Sequence, residues 1–220
     1  MAGSLVWSPK EITMLPIQYK VAKEFFTLWH YSKTCPKSDS IRLGFYRDES
    51  LVGVVTFGRG TNQWIGKALF KSDSKLWDVI ELTRCAAAGH MGKNFTSHIV
   101  ASALRIIETD VVVSYADSNW GHIGTIYQAT NFLYTGMTCA DYCYQSPDGH
   151  LVHKSKFRKR GRSQSEKELA AAAGYQRVTL KGKHRYIYVV NKKERKAIVG
   201  GLRWKVCEFP KKAQGLPQNF

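Results

Sequence analysis

The sequence predicts an α+β fold: a mixed, largely antiparallel twisted sheet flanked by helices, carrying a basic insertion and a basic tail. Three observations predict it. β-forming segments and segments of helical period follow one another in irregular order, without the strict alternation of a parallel α/β protein. A hairpin signal stands near the start, with residues 41–46 and 51–57 separated by Arg47-Asp48-Glu49-Ser50. Apolar residues make up 44% of the 220-residue chain, enough for a real core.

The elements follow in order. Pro16 opens a helical pattern in which Ile17, Val21, Phe25, Leu28 and Trp29 form one stripe, ended by His30-Tyr31-Ser32. A polar loop over 33–40 leads into the hairpin, and a Gly-rich loop over 58–66 carries Trp64. Residues 77–85 read as a strand, with Ile80, Leu82 and Arg84 on one face and Val79, Glu81 and Thr83 on the other. After a small-residue loop over 86–94, Phe95, Ile99, Val100, Ala103, Leu104 and Ile107 make a helical stripe.

Residues 111–116 are an almost unbroken apolar run, as a buried strand requires. Asp117 and Ser118 are both caps for a following helix that bears Ile123, Tyr127 and Thr130. Asn131 suits its left-handed end. Strands are expected at 132–135, 138–144 and 184–190, and a helix capped by Ser165 ends at Gly174. The strands near 138–145 and 184–190 are expected to pair, which makes 146–183 an excursion between them. The domain reading is therefore a core over 1–145, a basic insertion over 146–183, and a last core strand with a basic tail over 184–220.

Charge is the most uneven property. Residues 1–150 hold 14 basic and 13 acidic groups, whereas 151–220 hold 19 basic and 4 acidic, so almost all of the net +16 lies in the last third. Six of the nine residues over 154–162 are basic: Lys154, Lys156, Arg158, Lys159, Arg160 and Arg162. Interleaved with Phe157, Tyr175, Tyr186 and Trp204, such cations suit phosphate contact and base stacking, and duplex DNA is the expected partner. A purely solvated basic face explains so concentrated a charge less well.

No apolar run reaches the roughly 18 residues that span a bilayer. Residues 1–7 lack the basic flank and apolar stretch of a secretory signal. Five cysteines at irregular spacing, with no C-x-x-C pair, argue against a disulfide framework or a zinc ribbon and point to a reducing cytoplasm.

Two stretches carry a family resemblance. One is Glu81-Leu82-Thr83-Arg84 running to Gly89-x-x-Gly92-Lys93-Asn94 at a helix start. The other is Tyr115-Ala116-Asp117-Ser118-Asn119-Trp120-Gly121, followed by Ile126-Tyr127-Gln128-Ala129-Thr130-Asn131-Phe132. Together they resemble the GNAT acyltransferase fold. With His30-Tyr31-Ser32 and the basic tail, the chain is similar to the bacteriophage Mom proteins, over 17–145 and onward into the final third. Asn131 replaces the usual glycine, and the phosphate loop departs from the usual R/Q-x-x-G-x-G/A.

The resemblance implies an enzyme that converts adenine in DNA to its N6-carbamoylmethyl form and so protects DNA from host restriction. It implies catalytic roles for Asp117, Tyr127, Arg84 and Ser102. Gly89, Gly92, Lys93 and Asn94 would bind the carrier of an acyl donor, either acyl-coenzyme A or an activated glycine such as glycyl-tRNA. It also implies iron, for which His30 and Tyr31 are the candidate ligands, with Glu81 or Asp117 completing the set.

From the residues alone, the structural readings come first: Asp117 as an N-cap worth about 1 kcal/mol, Tyr127 as a core tyrosine and the His30–Tyr31 pair as structural, while Arg84 reads equally as half of an ion pair with Glu81 or Glu108. Trp64 and Trp120 are the candidates to stack on an extruded adenine. Rival readings are an acetyltransferase acting on protein or RNA, and a DNA-binding protein without catalysis. Nothing in the sequence specifies an oligomeric state, a dimer included.

Overall fold

A computed structural model of the chain describes residues 7–59, 64–158 and 165–211. The chain divides into two compact units, one of residues 1–115, 124–136 and 185–220, the other of 116–123 and 137–184.

The first unit is built on a seven-stranded sheet. Its strands are β1 (Ile12–Pro16), β2 (Asp39–Arg47), β3 (Ser50–Gly58), β4 (Val79–Ala87), β5 (Val111–Ala116), β6 (Leu133–Met137) and, late in the chain, β10 (His184–Val189). The order across the sheet is β1-β2-β3-β4-β5-β10-β6. β1 through β4 are antiparallel neighbours, and β4 pairs with β5 in parallel. The architecture is therefore α+β and largely antiparallel, as the sequence predicts.

The hairpin forms because alternating β-formers flank Asp48, which takes the left-handed φ of 54° that the turn needs. Helix α3 (Phe95–Leu104) packs on β3 and β4 through Phe95, Ile99, Val100, Ala103 and Leu104, all buried. Each such large side chain contributes about 1.5–3 kcal/mol. A second cluster gathers Ile65 and Leu69 of α2 (Ile65–Leu69), Val111 and Val113 of β5, Ile187 and Val189 of β10, and Ile198 of α6 (Arg195–Gly201).

Two expectations change near the N-terminus. Pro16 ends β1 instead of opening a helix, and α1 runs from Tyr19 to Trp29. A proline is admissible there because β1 is an edge strand. The buried face of α1 is Ala22, Phe25 and Phe26, whereas Leu28 and Trp29 are exposed.

The second unit holds a three-stranded sheet in the order β8-β7-β9, formed by β7 (Asp141–Gln145), β8 (Leu151–Val152) and β9 (Gln176–Leu180). Helix α5 (Glu166–Ala172) starts at Ser165, whose hydroxyl accepts from the Glu168 amide while the Glu168 carboxylate accepts from the Ser165 amide. Tyr144, Phe157 and Ala170 form its buried core. The expected pairing of 138–145 with 184–190 does not occur. Tyr142, Cys143 and Tyr144 pair with Thr179, Val178 and Arg177 of β9, and β10 lies between β5 and β6. β6 immediately follows helix α4 (Thr125–Ala129) and supplies the edge that β7 was expected to supply.

Candidate active site

β4 and β5 run side by side only from Val79–Glu81 against Val111–Val113, although both strands continue to Ala87 and Ala116. Past the pairing, the Ser114 hydroxyl donates to the Leu82 carbonyl at 2.8 Å. Beyond it stand Arg84 and Cys85 on β4, Tyr115 on β5 and Tyr127 on α4, all in the first unit.

Tyr127 is buried, its ring packed at 5.2 Å against both Phe132 and Tyr186. Burial pushes its phenol far above the usual tyrosine range. Cys85, Tyr31 and Glu81 push the same way, against a hydrogen bond with Ser114. Burial likewise lifts the Cys85 thiol to about 12, and burial with Glu81 lifts the Tyr115 phenol to about 12 against the pull of Arg185. These groups therefore stay protonated near neutral pH. The periodicity of the sequence picks out none of Cys85, Ser114 or Arg185.

Arg84 is half-buried, and its Nη1 donates to the Thr83 carbonyl at 2.7 Å. Near it lies a buried carboxylate that sequence reasoning missed. Asp39 is only 4% exposed, and burial raises its pKa against the Thr83 and Thr56 hydroxyls and the Arg84 and Arg42 guanidiniums. Those hydroxyls bond each other at 2.9 Å, and Thr83 donates to the Thr56 carbonyl at 3.1 Å. Neither Asp39 oxygen receives a well-formed hydrogen bond among the described residues. Ser102 lies half-buried on α3.

After β4 comes the loop that the sequence reading expects to bind an anion. Gly89 opens a 3-10 turn, and Gly89, Gly92, Lys93 and Asn94 are all exposed. Gly92 has φ 69°, and Asn94 has φ 65° at the N-cap of α3. Exposed backbone at the start of a ten-residue helix, with a lysine beside it, favours a phosphate.

His30 and Tyr31 do not fit a resident iron ion. The Ser32 amide donates to His30 Nδ1 at 3.1 Å, which commits that nitrogen as an acceptor and puts the ring proton on Nε2. The imidazole stacks on Tyr31 at 4.3 Å. Among the described residues, no group of three or more His, Cys, Asp and Glu side chains stands ready to hold a metal.

Asp117 belongs to the second unit. Its carboxylate accepts from the Asn119 amide at 3.0 Å and from Asn119 Nδ2 at 2.9 Å, capping the 3-10 turn Ser118–Trp120. Lys183 Nζ stands 3.2 Å away. Burial pushes the carboxyl up, but the Asn119 bonds and the Lys183 ammonium outweigh it, and its pKa falls below the ordinary value. The residue is thus a cap, as one reading of the sequence expects, and a half-buried carboxylate that is ionised near neutral pH. Trp120 is 60% exposed and Trp64 is 59% exposed, so neither is core.

The basic run is less free than its composition implies. Lys154 is ion-paired with Asp141, Arg158 with Glu166, and Lys156 donates to the Tyr175 hydroxyl at 2.6 Å. Lys159, Arg160 and Arg162 lie outside the described residues. Three of the interleaved aromatics are not available for stacking. Phe157 and Tyr186 are buried, and Trp204 carries the Arg185 guanidinium 3.5 Å above its ring. Among the described residues, no helix is long and apolar enough to cross a membrane.

The model of the Mom protein family matches residues 11–211. The chain is 27% identical to "Methylcarbamoylase mom" of Escherichia phage Mu, with 95% of this chain and 88% of that protein covered. Among solved structures, a spermidine N-acetyltransferase from Vibrio cholerae, in complex with CoA and spermine, is 10% identical with a TM-score of 0.46, covering 84% of this chain and 98% of that one. An IAA acetyltransferase from Bacillus cereus is 12% identical with a TM-score of 0.45, covering 81% and 99%.

Proposed function

The chain belongs to the Mom protein family, and on that premise we propose that it is a DNA-modifying transferase that converts adenine to its N6-carbamoylmethyl form and shields DNA from restriction. The observation that carries this reading is the family match over 11–211, which spans every candidate catalytic residue, together with a relative named as a methylcarbamoylase.

The geometry supports acyl transfer. The loop over 89–94 offers backbone and Lys93 to a phosphate-bearing donor, and Tyr127 holds a proton to give to a leaving group. Asp117, an ionised carboxylate of the second unit, is assigned the role of base for the acceptor amine. Arg84 and Ser102 are assigned supporting roles at the reacting groups.

The donor follows from atom counting. N6-glycyl-adenine and N6-carbamoylmethyl-adenine are isomers, so an activated glycine, as glycyl-tRNA or a thioester, supplies every atom. The adenine amine attacks the glycyl carbonyl, and the carrier leaves with a proton. The glycyl amine then bonds to ring carbon six and gives up a proton, and the original exocyclic nitrogen departs from that carbon, takes up a proton and becomes the carboxamide.

Duplex DNA requires the adenine to be extruded. Exposed Trp64 and Trp120 are the stacking candidates, and the run Lys154, Lys156, Arg158, Lys159, Arg160, Arg162 is the backbone grip.

Mass spectrometry of nucleosides from DNA of expressing cells tests the reading. A carbamoylmethyl-adenine that carries both labels of 15N,13C-glycine is expected. Unmodified adenine overturns the function, and unlabelled product overturns the donor.

A further inference from the structure

The segment Lys181-Gly182-Lys183, between β9 and β10, grips the turn that bears Asp117. The Ser118 hydroxyl donates to the Gly182 carbonyl. Asn119 Nδ2 donates to the Lys181 carbonyl at 3.1 Å, and the Lys181 amide donates back to Asn119 Oδ1 at 2.9 Å. Thr138 closes the other side. Its amide donates to the Lys183 carbonyl at 2.8 Å, and its hydroxyl accepts from the Lys183 amide at 2.9 Å. The fit leaves no slack: a Cβ at Gly182 would stand 1.9 Å from the Thr138 carbonyl oxygen.

The clasp ends on Asp117 itself. The carboxylate side chain is 15% exposed, and Lys183, 49% exposed, reaches it from the solvent side. Among the described residues, the other titratable group coupled to Asp117 is His122, which burial keeps below the usual histidine range while the Asp117 charge opposes that. His122 is therefore neutral near neutral pH, and Lys183 is the standing positive charge on the carboxylate. All of these residues belong to the second unit, which also carries Lys154, Lys156 and Arg158.

We propose that Lys183 is a positioning residue for the transfer reaction, holding the Asp117 carboxylate in one orientation through the 181–183 clasp. The proposal rests on the role given to Asp117 above. A cation placed only to meet DNA phosphate would not need a backbone lock on both sides, nor a second carboxylate contact through Asn119.

The experiment is a 13C-carboxyl NMR titration of Asp117 in the full chain, alongside kcat, KM for DNA and the pH–rate profile, for wild type, Lys183→Met and Lys183→Arg. Lys183→Met should fold, because the backbone of residue 183 makes the structural bonds. It should raise the Asp117 pKa, move the acid limb of the rate profile to higher pH, and lower kcat roughly ten- to a hundredfold with KM for DNA little changed. Lys183→Arg should restore most of the activity. An unmoved titration overturns the coupling between Lys183 and Asp117. A moved titration with an unmoved rate profile overturns the positioning role, and if Asp117→Asn is then also fully active, the fault lies in the catalytic reading of Asp117. An effect confined to KM and to the salt dependence overturns the proposal in favour of a phosphate contact.

Discussion

Gly124 lies against the ring of Tyr186, so that a Cβ there would stand 2.3 Å from the nearest ring carbon. Gly124 also has φ 78° and caps α4, the helix that carries Tyr127. Gln128 of the same helix donates to the Tyr186 hydroxyl at 3.1 Å. Gly124→Ala combines left-handed strain with overpacking and should cost about 2–5 kcal/mol, a fall in Tm of roughly 4–20 °C. Gly121→Ala, at φ 70° with nothing within 4 Å of its Cβ, should carry only the strain. Thermal unfolding of the two variants measures the difference.

Tyr127→Phe removes a buried phenol whose partner, Ser114, keeps its bond to the Leu82 carbonyl. The stability loss should therefore be about 1 kcal/mol. Modified adenine should fall about a hundredfold or more if the phenol donates the proton to the leaving group. Paired measurement of Tm and nucleoside yield checks it, and proportionate losses in both would favour a core role.

Asp117→Asn keeps an oxygen to cap the 118–120 turn and removes the ion pair with Lys183. Modification should drop about a hundredfold or more, with a stability cost near 1 kcal/mol. The folded-state pKa lies below the ordinary aspartate value of 3.8, so this contribution is present above that pH and is lost as pH falls through the folded value. Unfolding curves of wild type and variant should differ at pH 7 and converge in strong acid.

Asp39 behaves with the opposite sign. Its folded pKa lies above 3.8, so the folded state binds more protons and stability declines as pH rises through the window above that value. Asp39→Asn should be at least as stable as wild type at pH 7, with the gap closing in acid. If the variant is less stable at pH 7, the pull of Arg42 and Arg84 outweighs burial.

Replacing Arg158, Lys159, Arg160 and Arg162 by Gln should flatten the salt dependence of DNA affinity by roughly two to four units of log–log slope, at about 0.9 for each phosphate no longer neutralised. Sequence preference should survive, because backbone contacts position without specifying. Glu166, released from Arg158 in this variant, keeps the Tyr142 hydroxyl as a donor at 2.7 Å, so α5 should remain folded. An unchanged slope would shift the interface to the basic tail over 192–212.

The elements legible in the sequence are those with a local cause. The hairpin, the apolar run of β5, the Ser165 cap and the left-handed Asn131 each answer to a pattern within a few residues. β9, by contrast, is short and mostly exposed, with only Val178 and Leu180 alternating about Thr179, and β1 is a short edge strand ending in proline. The site divides in the same way. Asp117 stands out because it caps the turn beside it. Asp39 does not, because an acid after a Lys- and Ser-rich loop resembles surface until Thr56, Thr83 and Arg84 of neighbouring strands enclose it.

The α+β class, the family resemblance, the concentration of charge after residue 150 and the loop at the start of α3 could all be read from the order of residues. They depend on composition and on neighbours within one or two turns of chain, where propensity and capping act. Folding in three dimensions was needed to establish which strands meet, that Lys154 and Arg158 are paired with acids, that His30 Nδ1 is taken, and that Lys183 reaches Asp117. Whether a charge is free, buried or paired depends on groups that folding brings from far along the chain, and desolvation and Coulomb energies respond to distance in space rather than along the sequence.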